Sequence, residues 1–186
     1  MSAPARSTRP DLVRSLHAEA AAHPAAGEPD PPAGDLNASV MWLLHRHPLL
    51  ARLVVRIAAA VVLDPGTHHR DPRDGTTVPG VLVECHVLAT AVADHDTHVQ
   101  AWHDYAQTHP APRSDSAYEL WAAAGPRPTP GGHALACMSS TERTRLRLLA
   151  LFATSTRTRL AAGDLVGLDA AGHALLLDVC RALLDY

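Results

Sequence analysis

The residues best equipped to do chemistry in this chain are its histidines, thirteen among 186 residues, with nine of them between His45 and His109. Lysine is absent, every one of the sixteen basic residues is arginine, and Asn37, Ile57 and Phe152 are the sole members of their types. A bias against AT-rich codons accounts for that pattern, but it does not account for the histidines. Imidazole ligates metals and moves protons near neutral pH, so the spacing of these side chains carries most of the chemical information.

The sharpest constellation is Asp94-His95-Asp96-Thr97-His98. On a helix, residues three and four apart are neighbours, so Asp94, His95 and His98 share one side. Helical metal sites use two ligands at such spacing and take the rest from other elements. His103 is eight residues beyond His95, about 12 Å along the axis at 1.5 Å per residue, and cannot reach the same ion. The missing ligands must come from His45 or His47, next to the Pro48 break, or from the loop pair His68 and His69 with Asp71. The candidate metal set is therefore His95, His98, Asp94, His45, His68 and His69, suited to a divalent transition metal such as zinc. The competing reading makes His95 an interior imidazole bonded to Asp94 or to a backbone carbonyl.

Other chemistries find less support. Cys85, Cys137 and Cys180 are far apart and form no Cys-x-x-Cys, which argues against a thiolate zinc site or a disulfide framework. No Gly-rich phosphate loop, Gly-x-Ser-x-Gly elbow or His-Glu-x-x-His motif occurs, so no catalytic residue is assigned. Arg143, Arg145, Arg147, Arg157 and Arg159 make residues 140–162 locally basic. Only Arg143, Arg147 and Arg157 share a side at 100° per residue, so a solvated helix is the better reading than a nucleic-acid stripe. The formal net charge of −3 points the same way.

These groups need elements to hold them. Val81, Cys85, Leu88, Val92, Val99, Trp102 and Ala106 follow the alternating three- and four-residue spacing of one helix face, with His95 in the one gap. An extended reading of Val81, Val83, Cys85 and Val87 covers fewer residues, so the helix is preferred. Pro48 suits the first turn of another helix carrying Leu49 to Val61, although Val61-Val62-Leu63 before Asp64-Pro65-Gly66 also fits a short strand. Asn37 is read as a helix N-cap. Ser139 and Glu142 make a capping box, and Asp169 caps a last helix.

The expected fold is all-α: a single helical-bundle-like domain over residues 36–186, with loops at 64–80 and 110–133 and a short inset helix at 116–124. Residues 1–35 are expected to be a flexible Pro/Ala-rich segment with a possible short helix in one weak amphipathic stretch, Asp11 to Ala22. The run Leu49 to Leu63 is too short and too interrupted by arginine to span a bilayer. With no opening signal segment, a reducing cytoplasm is expected. The expected function is an interaction or regulatory module acting through a helical surface, with a protein partner or self-association. The alternatives are a metal-binding protein or metal-dependent hydrolase built on the histidines, and a nucleic-acid binder using the arginine-rich helix.

Overall fold

In the computed structural model, the described residues are 9–109, 119, 121–122, 127–152, 160 and 162–184. Helix α2 (Leu36–Arg46) lies at the centre of the core. Met41, Trp42, Leu43 and Leu44 are consecutive and all buried, so this helix is apolar nearly all round and must be enclosed on every side. Helix α1 (Arg9–Ala22), helix α3 (Leu49–Val54) and helix α8 (Ala170–Leu184) pack against it. Its N-cap is Asp35, whose side chain accepts from Ala38 N at 3.0 Å, two residues before the expected Asn37.

Within the segment expected to be flexible, residues 9–22 form a packed helix. Leu16, Ala18 and Ala20 of α1 are buried, and Leu12 and Val13 pack against the same core. The proline-rich stretch behind it is tied down too. The Trp42 indole donates to the Glu28 carbonyl at 3.0 Å, and Ser39 Oγ donates to the Pro32 carbonyl at 3.2 Å.

The all-α expectation is contradicted by an antiparallel hairpin, β1 (Val61–Arg70) with β2 (Thr77–Val83). The structure is mostly helical, with eight α-helices among the described residues, but it is not purely so. The stretch 64–80, expected as a loop, is most of this hairpin. Its turn-forming residues sit where a hairpin tolerates them. Pro65, Gly66 and Thr67 occupy an irregularity between Asp64 and His68, where the strand register shifts. Asp64 closes it by accepting from Gly66 N at 3.0 Å and Thr67 Oγ at 2.6 Å. At the tip, Gly75 adopts a left-handed φ of 72° while Asp71 accepts from Arg73 N at 2.9 Å.

A two-stranded sheet alone is marginal in water; here α1 holds it. Arg14 donates to Asp71 at 2.9 Å and to Asp74 at 2.6 Å. Glu19 accepts from Val81 N at 3.0 Å and lies 3.0 Å from His69 Nε2. The long helix α4 (Cys85–Thr108) therefore starts four residues later than the Val81 periodicity implies, because Val81 to Val83 belong to β2. Its first half buries Leu88, Ala89, Ala91, Val92 and His95, whereas Val99 is partly exposed.

Helix α5 (Pro130–Ala136) docks on α4 through glycine. A Cβ on Gly131 would lie 2.8 Å from Ala91 Cβ, and one on Gly132 would overlap Asp94 Oδ2. Helix α6 (Ser140–Ala150) opens with the expected capping box: Ser139 Oγ accepts from Glu142 N at 3.2 Å, and Glu142 accepts from Ser139 N at 2.8 Å. Asp169 caps α8 by accepting from Gly172 N at 2.8 Å. A five-residue helix, α7 (Ala162–Val166), separates α6 from α8. Most of the expected inset helix at 116–124, together with Arg157 and Arg159, lies outside the described residues.

Candidate functional site

His95 takes a position on α4 that the periodicity reserves for an apolar residue, and its side chain is only 8 % exposed. It faces a cavity of about 390 Å³ where α4, α6 and α7 meet. Asp96, Ser140, Arg143, Arg147 and Asp164 share that lining, with Val99 and Ala136 as the apolar part. Nδ1 of His95 lies 3.4 Å from Asp96 Oδ1. With Asp96 ionised, Nδ1 donates, and in the neutral imidazole Nε2 is then an acceptor.

Arg147 organises the acidic side of the cavity. It donates to Asp164 at 2.6 Å and makes a close contact with Asp96, while its own Nε is buried and has no partner among the described residues. Partial burial works against a charge on Asp96. The His95 hydrogen bond and the Arg147 guanidinium outweigh it and hold the carboxyl below the usual carboxylate range. Arg143 uses one nitrogen to donate to the Met138 carbonyl at 2.5 Å. Sequence spacing gave no sign of this grouping, because Asp96, Arg147 and Asp164 come from three different helices.

The six candidate ligands do not converge. Asp94 is occupied as an anchor for α5, accepting from Thr129 N at 2.8 Å and Thr129 Oγ1 at 2.9 Å. His98 packs on Trp121 with ring centroids 4.8 Å apart, and its Nδ1 is buried with no hydrogen-bond partner among the described residues. His45 is exposed at the end of α2, and the neighbouring His47 Nε2 lies 2.8 Å from the buried Asp178. His68 projects from β1 into solvent, whereas His69 pairs with Glu19. Among the described residues no group of three His, Cys, Asp or Glu side chains could hold a metal ion.

The described arginines of α6 are engaged within the protein. Arg145 donates to both oxygens of Asp169 at 2.7 and 2.8 Å, in addition to the Arg143 and Arg147 contacts. A second cavity, about 680 Å³ and mostly apolar, lies between residues 56–59, α4 and α5, with the exposed Cys137 on its wall.

One exposed surface stands out on α8. Leu175, Val179 and Ala182 are buried against the core, while Leu177 is 63 % and Leu184 85 % exposed on the opposite side, with exposed Cys180 between them. Among the described residues, no helix is long and apolar enough to cross a membrane. No protein-family model matches this chain, and neither does any curated protein or solved structure.

Proposed function

We propose that this protein is an interaction module whose contact surface is the outer face of α8, and that the partner is a second copy of the chain. The observation that carries this reading is the second apolar stripe on that helix, Leu177, Cys180 and Leu184, exposed to solvent. At 100° per residue the three fall within an arc of about 60°, opposite the stripe that packs on the core. Isolated exposed leucines need no explanation, but an aligned set on one helix marks a contact surface.

The spacing favours self-pairing. Cys180 stands three residues from Leu177 and four from Leu184. Two antiparallel copies of α8 would therefore set Leu177 of each against Leu184 of the other, with the cysteines at the two-fold axis. Such self-complementarity is what an isologous interface requires. One helical stripe buries much less than the roughly 1,600 Å² of a standard interface, so the expected association is weak and concentration-dependent.

Sedimentation equilibrium across micromolar to millimolar protein is the test. The parent should shift toward dimer, and mild oxidation should trap a Cys180–Cys180 disulfide. Leu177→Glu/Leu184→Glu should remain monomeric with an unchanged circular dichroism spectrum, because both side chains face solvent. A parent that stays monomeric throughout, or a double variant that still dimerises, overturns the proposal.

A further inference from the structure

The cavity beside His95 has the chemistry of a binding site, and it is separate from the α8 surface. Its polar groups are not a random sample of surface residues. An imidazole with only 8 % of its side chain exposed is costly to keep in an apolar stripe unless its nitrogens have partners. Nδ1 has one in Asp96, and the ring lines open space. In its neutral form the imidazole, donating from Nδ1 to Asp96, keeps Nε2 as an acceptor for whatever fills the cavity. Asp96 and Asp164 are both bonded to Arg147, so these three together carry one negative charge. Arg143 is the remaining cation of the lining, and its link to the Met138 carbonyl uses one nitrogen and leaves other donors available. Ser140 adds a hydroxyl at the start of α6, and Val99 and Ala136 supply an apolar patch.

We infer that this cavity binds a small organic acid carrying a hydrogen-bond donor next to its carboxylate. The carboxylate pairs with Arg143 and Ser140, the neighbouring hydroxyl or amine donates to His95 Nε2, and a short aliphatic chain lies on Val99 and Ala136. A hydroxy acid and an amino acid share this chemistry. They differ in whether the donor is neutral or is an ammonium that also draws on Asp96.

Three probes with one carbon skeleton separate the possibilities: α-hydroxyisocaproate, free leucine, and isocaproate, which lacks the donor. Isothermal titration calorimetry on the full chain should show saturable binding of α-hydroxyisocaproate or leucine, and the tighter of the two identifies the donor. Isocaproate should bind about tenfold more weakly or worse, since it leaves His95 Nε2 without its bond. Arg143→Gln should abolish binding while keeping the folded circular dichroism spectrum of the parent, with a lower melting temperature from the lost bond to the Met138 carbonyl. His95→Phe should also abolish it, and Arg143→Gln decides alone if that variant fails to fold. The inference is overturned if the parent binds neither donor-bearing acid, if isocaproate binds as tightly as they do, or if Arg143→Gln binds like the parent.

Discussion

The three thiols of this chain sit in different surroundings, and their reactivity should follow. Cys85, at the start of α4, is largely buried, and that burial together with neighbouring Glu84 pushes its thiol up to about 12. Cys137 and Cys180 are exposed. Alkylation of dilute native protein near neutral pH should therefore label Cys137 and Cys180 first, with Cys85 slower by about 10³-fold because its thiolate fraction is so small. Mass spectrometry of a timed iodoacetamide reaction checks this, and comparable rates at all three would contradict the burial of Cys85. The histidines teach a related lesson about what residue types reveal. Their excess pointed to a shared site, yet the structure disperses them into separate local duties. His17 reaches the Pro48 carbonyl, His23 accepts from Ala25 N, His47 meets Asp178 and His69 meets Glu19. His95 alone, marked by its interruption of an apolar stripe, could be picked out as a buried polar position. The groups across the cavity from it could not, because Arg147 and Asp164 share its lining only through the packing of α6 and α7 on α4.

At the level of elements, signals confined to a few adjacent residues were readable in advance. The capping box at Ser139, the Asp169 cap and the apolar face from Leu88 to Val92 all stand as the spacing implied. The hairpin was obscured because its proline and glycine residues are loop formers, and only the register shift after Asp64 shows how a strand accommodates them. The sequence allows a short helix at α1 but does not show its packing on the core. Its own apolar stripe is short, and its stability comes from packing on α2 and from the Arg14 and Glu19 bonds to the hairpin. Leu16→Ala and Leu88→Ala should accordingly each cost about 2–5 kcal/mol in denaturant unfolding, as expected for fully buried leucines. A loss near zero for Leu16→Ala would detach α1 from the core. Gly132→Ala tests the α4–α5 contact, since its methyl would overlap the Asp94 carboxylate that anchors Thr129. Its expected signature is a lower melting temperature together with faster amide exchange across 127–136. Unchanged exchange there would show that α5 does not depend on this close approach.

Across the whole molecule, carboxylate–arginine pairs join elements distant in sequence, which ties the fold to pH. Asp71 and Asp74 bind the hairpin tip to Arg14 of α1, Asp96 binds α4 to Arg147 of α6, and Asp169 binds the start of α8 to Arg145 of α6. Each of these carboxyls is held below its ordinary range. The leading causes are a backbone bond from Arg73 for Asp71, the Thr76 side chain for Asp74 and the Arg145 side chain for Asp169, whereas for Asp96 the His95 and Arg147 contacts overcome its desolvation. A carboxyl whose folded pKa is depressed binds fewer protons folded than unfolded. Its contribution to stability is complete above the unfolded value, near 4, and is lost as pH falls through the lower folded value. The melting temperature should therefore be flat with respect to these groups from pH 6 to 5 and decline steeply below about pH 4. Asp71→Asn should melt lower than the parent at pH 6, because Arg14 and the Arg73 amide lose an ionised acceptor, and it should decline less steeply on acidification. The two melting curves should thus converge as the pH is lowered. Parallel curves with a constant offset would mean that Asp71 is not ionically linked to the fold, and that the hairpin is held to α1 by Glu19 and apolar packing alone.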